Sequence, residues 1–147
     1  MSKYTFRLET LQKVRCERRD QLRTALADAF RAEQILTDHQ AELAAEQYEL
    51  LHQQRSAADG KYLDVNRLVE AQRYELVLKA REQELARQKG LLAAEIERRR
   101  LALVEADRDV RVLELLDQKN RREHDRQTQR AEIRELDEIA QACKPRI

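Results

Sequence analysis

Proline occurs once in the 147 residues, glycine twice and tryptophan not at all, and aromatic residues make up only 4%. Few bulky side chains are therefore available to offset the entropy of ordering the chain, which argues against a compact globule. No apolar run approaches the roughly 20 residues needed to cross a bilayer. Arg7, Glu9, Lys13 and Arg15 interrupt the N-terminus where a secretory signal would carry its apolar core. A cytoplasmic protein is expected. Cys16 and Cys143 lie near opposite ends, so two free, reduced thiols are expected rather than a disulfide.

Charge, by contrast, is abundant. Charged residues make up 39% of the chain, with 29 basic against 28 acidic and a formal net charge of +1. Balance on this scale does not drive disorder through self-repulsion. Leu, Ala, Glu, Gln, Arg and Lys predominate, and each loses little rotamer freedom in a helix. Long helices are the expected fold.

Neither Gly nor Pro interrupts residues 6–55, which predicts a first helix over about that span. Leu8, Arg15, Leu22, Ala29, Leu36, Leu43 and Leu50 recur every seven residues, with companions three later at Leu11, Arg18, Ala25, Ala32, His39, Glu46 and Gln53. This is a heptad seam diluted by polar residues, and it needs a partner helix. Residues 56–60, ending in Asp59 and Gly60, form the expected turn, since Asp-Gly accommodates a left-handed backbone. A short connection implies antiparallel neighbours.

A second helix is expected over about 61–143, stopped by Pro145 and softened at Gly90. Its seam reads Leu78, Leu85, Leu92, Ile96, Leu103 and Val110, with Ala71, Ala106 and Leu113 as companions. The chain is thus expected to be all-α, a single domain in which two long helices form an antiparallel coiled-coil hairpin with a projecting C-terminal end. Two registers fit. One sets Leu22 against Leu92, Ala29 against Leu85 and Leu36 against Leu78. The other sets Leu11 against Val110, Ala29 against Leu92 and Leu43 against Leu78. Either leaves the second helix projecting past Phe6 by roughly 25 to 35 residues, on the order of 40 to 50 Å at about 1.5 Å per residue. Ile133, Leu136, Ala140 and Cys143 form an apolar stripe there that the first helix cannot reach. A partner, self-association or a frayed end would account for it.

Chemical motifs are missing. His39, His52 and His124 are scattered, no H-E-x-x-H or Cys/His cluster marks a metal site, and neither a phosphate-binding loop nor a nucleophile elbow occurs. No catalytic residue, metal or cofactor is expected. Arg98, Arg99, Arg100, Arg121, Arg122 and Arg126 could suggest nucleic acid. Interleaved acids, near-zero net charge and the lack of aromatic stacking platforms favour a solvated face of i to i+4 ion pairs instead.

Both ends of the chain carry a resemblance. Residues 110–140 open on Val110, Val112, Leu113, Leu115 and Leu116, pass through a charged run and close on E-I-R-E-L-D-E-I-A. The start reads F-R-L-E-T-L from Phe6. These stretches resemble the termini of the FliJ family, small coiled-coil proteins of the bacterial flagellar type III export apparatus. The resemblance implies a non-catalytic stalk and adaptor, similar to the central stalk of rotary ATPases. Its implied partners are the hexameric export ATPase FliI, the export gate protein FlhA and export chaperones. It would sit in the cytoplasm, peripheral to the membrane-embedded machinery at the inner membrane near the flagellar basal body.

By that resemblance, Phe6, Leu8, Leu11, Leu113, Leu116, Arg121, Arg122, Ile133, Leu136, Asp137 and Glu138 belong to the ATPase-ring-facing end. Leu36, His39, Leu43 and Tyr74 belong to the export-gate patch. On this reading Leu136→Ala or Leu113→Ala weakens ring contact with little loss of helix. The equivalent stalk of a virulence type III secretion system resembles the same architecture, and a generic dimerising coiled-coil scaffold is the alternative of another class.

Overall fold

The computed structural model describes residues 3–60 and 62–145. The fold is all-α, a helical hairpin of two long helices: α1 over Glu9–Ala58 and α2 over Val65–Ala142. The described residues contain no strand. The chain forms two compact units, one of Met1–Leu22 with Leu103–Ile147 and one of Arg23–Ala102.

The helix boundaries differ from the sequence expectation for local reasons. α1 starts three residues late, because the segment before Glu9 turns first, with the Glu9 amide donating to the Phe6 carbonyl at 3.2 Å. It ends late because Ala57 and Ala58 are strong helix formers and extend it. The connection therefore lies at 59–64 rather than 56–60. No described residue, Gly60 included, has a positive φ, so the expected left-handed Asp-Gly turn does not form. The expected start of the second helix, Lys61, lies outside the described residues. α2 begins at Val65 because Asp64 caps it: the Asp64 carboxylate accepts from the Arg67 amide at 3.3 Å, satisfying one of the free N–H groups of the first turn.

In the Arg23–Ala102 unit, Leu43, Leu50 and Leu78 form the core, with Ala71 and Leu85 packed against it. Leu78 is fully buried. The pairing of Leu43 with Leu78 selects the second register and rules out the first, which put Leu36 there. Polar bridges flank the seam: Gln47 donates to Glu82 at 3.1 Å, Lys89 to Gln40 at 2.8 Å, and Arg99 to the Ala25 carbonyl. In the other unit Ala106, Val110 and Leu113 are the buried residues, with Leu8, Cys16 and Leu22 half-buried.

The companion row on α1 also needs correction. Leu11, Arg18, His39, Glu46 and Gln53 are exposed, whereas Gln12, Arg19, Gln47 and Gln54, one position further on, are half-buried. At those levels the seam carries long polar side chains whose stems cover the apolar row while their ends reach water.

Candidate functional site at the paired helix ends

The unit of Met1–Leu22 and Leu103–Ile147 holds all of the residues expected at the ring-facing end. Before α1 begins, the chain lies against α2 through Tyr4. Its hydroxyl donates to the Asp117 carboxylate at 2.8 Å and lies 3.3 Å from the Asp117 carbonyl oxygen. The Arg121 guanidinium stands 5.5 Å from the Tyr4 ring centre, within cation–π range, and the His124 ring is tilted against it at 5.6 Å. Desolvation, and then the bond to Asp117, hold the Tyr4 hydroxyl above its ordinary pKa, opposed only by Arg121. Sequence reasoning did not single out Tyr4, Asp117 or His124. The available signal was the spacing on α2: Leu113, Asp117, Asn120 and His124 continue the seam at steps of three and four after its apolar residues have run out.

Phe6 and Leu8 are half-buried in this unit, and Leu11 is partly exposed. Leu113 is buried and packs within the unit, so any influence it has on a partner runs through packing rather than direct contact. Leu116 is at the edge of exposure, and Arg121 and Arg122 face solvent. Past Thr128 almost everything on α2 is exposed: Ile133 at 57%, Leu136 at 65% and Ile139 at 59%. This is an exposed apolar run on a helix that also exposes Leu76, Leu91 and Val112. Asp137 and Glu138 are exposed beside it.

The residues expected at the gate-facing patch lie in the Arg23–Ala102 unit and divide by burial. Leu43 is core and Leu36 is half-buried, while His39 and Tyr74 reach the surface. The Tyr74 hydroxyl donates to the Glu46 carboxylate at 2.8 Å, with Arg81 3.6 Å from the same carboxylate. That hydrogen bond is the main reason the Tyr74 pKa is raised. Tyr74 also lines a shallow groove with Leu50, His52, Leu68 and Ala71.

Both cysteines are free. Among the described residues, no group of three or more His, Cys, Asp or Glu side chains could hold a metal ion, and no helix is long and apolar enough to cross a membrane.

No curated protein and no solved structure matches this chain. A family model does: the one described as Flagellar FliJ protein matches residues 3–144, which takes in the Tyr4 contact, both helices and the bare end of α2. The chain belongs to the FliJ family, which is associated with flagellar type III protein export.

Proposed function

We propose that this protein is a stalk and adaptor of the flagellar export apparatus. Its paired helix ends enter the hexameric export ATPase, and the Arg23–Ala102 unit engages the export gate and export chaperones. It works in the cytoplasm, at the periphery of the membrane-embedded machinery. The observation that carries this reading is the exposed run of Ile133, Leu136 and Ile139, on a stretch of α2 beyond the last contact made by Tyr4. A stalk of this kind alters ATP turnover only by interacting differently with the conformational states of the ring's subunits. Apolar packing supplies the affinity, and the flanking charges supply the orientation.

The experiment is ATP hydrolysis by the cognate export ATPase, alone, with the full chain, and with a truncation ending at Asp125. Stimulation by the full chain that disappears on truncation supports the stalk. If neither form changes turnover or ring assembly, the reading fails, and a chaperone adaptor or a dimerising scaffold takes its place.

A further inference from the structure

One face of α2 carries Lys119, Arg122, Arg126 and Arg130 at steps of three and four, so the four cations lie in one stripe. At about 1.5 Å per residue it runs for roughly 16 Å. These side chains line a shallow open groove with Leu115, Gln118, Glu123 and Gln127. Four arginines further back on α2 are paired within the chain: Arg98 and Arg99 with Glu95, Arg100 with Glu97, Arg87 with Glu84. In the stripe, among the described residues, none of the four cations forms an ion pair. Each cation lies about 4.5 to 6 Å along the axis from the next, within one Debye length, and even with Glu123 among them the stripe keeps an excess of positive charge that an anionic surface would satisfy.

We propose that this stripe docks a run of Asp and Glu carboxylates on the partner that receives the α2 end. It acts as the electrostatic half of an interface whose apolar half is Ile133, Leu136 and Ile139. The partner's identity rests on the stalk reading above; its chemistry rests on the stripe.

Three other occupants fit less well. A second copy laid antiparallel on the same face would set Arg122 against Arg130 about a central Arg126, arginine against arginine. Nucleic acid would find no aromatic platform in the groove, and Glu123 stands in the middle of it. A uniform polyanion or an anionic bilayer offers no cation to Glu123, and within the groove itself Leu115 is the one apolar side chain. A folded protein can place a cation opposite Glu123 and carboxylates around it, which is what a mixed pattern selects.

The test measures binding of the full chain to the cognate export ATPase across a salt series, for the unmutated protein, for Lys119→Gln with Arg126→Gln and Arg130→Gln, and for Leu136→Ala with Ile139→Ala. Gln and Ala keep helix propensity at these exposed positions, and circular dichroism confirms that the fold is retained. At low ionic strength the triple variant should bind about tenfold more weakly, with a flattened salt dependence that converges on the unmutated protein as salt screens the contact. The apolar variant should lose affinity with its salt dependence unchanged. A triple variant with unaltered affinity and salt slope overturns the stripe while leaving the stalk reading intact. Absence of binding by the unmutated chain at every salt overturns both. Phosphatidylglycerol vesicles form a further arm: binding lost in the triple variant there, and kept for the ATPase, reassigns the stripe to membrane and overturns the carboxylate partner.

Discussion

Tyr4 and Asp117 are 113 residues apart in sequence and are joined by a 2.8 Å hydrogen bond from the Tyr4 hydroxyl to the Asp117 carboxylate. It fastens the non-helical start of the chain to α2 close to where the apolar seam of α2 ends. Replacing Tyr4 by Phe keeps the ring against Arg121 and His124 and removes only this bond. Limited trypsin digestion should then cleave faster after Arg7, because the segment is held less firmly. The same release should be reached in the unmutated protein by raising the pH. The folded-state pKa of Tyr4 lies above its unfolded value of 10.0, so the contribution is complete below that value and is lost as pH climbs through the folded pKa. Equal cleavage rates in Tyr4→Phe and the unmutated chain would show that the ring contacts alone hold the segment.

Leu78 and Leu113 are buried in different units, Leu78 completely. Truncating either to Ala leaves a gap in a thin interface, and each should cost about 2 kcal/mol or more in urea unfolding. Leu76→Ala, at a side chain 67% exposed, should change stability by less than about 0.5 kcal/mol. Burial therefore moves Leu113→Ala out of the class of contact variants in which the sequence placed it. A Leu113→Ala protein of unchanged stability would restore it to that class.

The existence of both helices, their antiparallel pairing and the Leu78 to Val110 seam were legible in the sequence, because periodicity and helix propensity agree along those stretches. Register was not: two alignments placed leucines opposite leucines, and only the packing of Leu43 on Leu78 separates them. The second row of α1 was misjudged because periodicity scores apolar residues. Gln12, Arg19, Gln47 and Gln54 occupy seam positions by burying aliphatic stems, which hydropathy does not register. The bare stripe at Ile133 and Leu136 was readable from helix length alone. The Tyr4 contact and the unpaired state of the cationic stripe required coordinates, since each depends on what stands nearby in space.

Glu95 accepts from Arg98 at 2.7 Å and from Arg99 at 2.8 Å, and these hydrogen bonds, Arg98 first, hold its carboxyl below the ordinary value of 4.5. Hydrogen bonds also lower Glu75, Glu84 and Glu97, from Lys79, Arg87 and Arg100 respectively. A depressed folded-state pKa means that the unfolded chain takes up protons first on acidification. The stabilisation is present above the unfolded value and is lost as pH falls through the folded one. Thermal unfolding should therefore show a melting temperature that drops below about pH 4.5, and Glu95→Gln should lower the neutral-pH value slightly while flattening that drop. An acid limb as steep in Glu95→Gln as in the unmutated chain would assign the dependence to the remaining carboxylates.

Gly90 lies in the interior of α2, and a Cβ added to it meets no heavy atom within 4 Å. Its φ is not positive, so alanine enters without strain. The glycine thus contributes backbone entropy to the unfolded chain and nothing to packing. Gly90→Ala should raise stability by about 0.5 to 1 kcal/mol, seen as a higher urea midpoint at an unchanged slope. The informative comparison is with ATPase stimulation by the same variant. Stimulation that stays constant while stability rises makes position 90 an ordinary turn of helix. Stimulation that falls while stability rises shows that the seated state uses the glycine, either through bending of α2 at this point or through the space its missing side chain leaves.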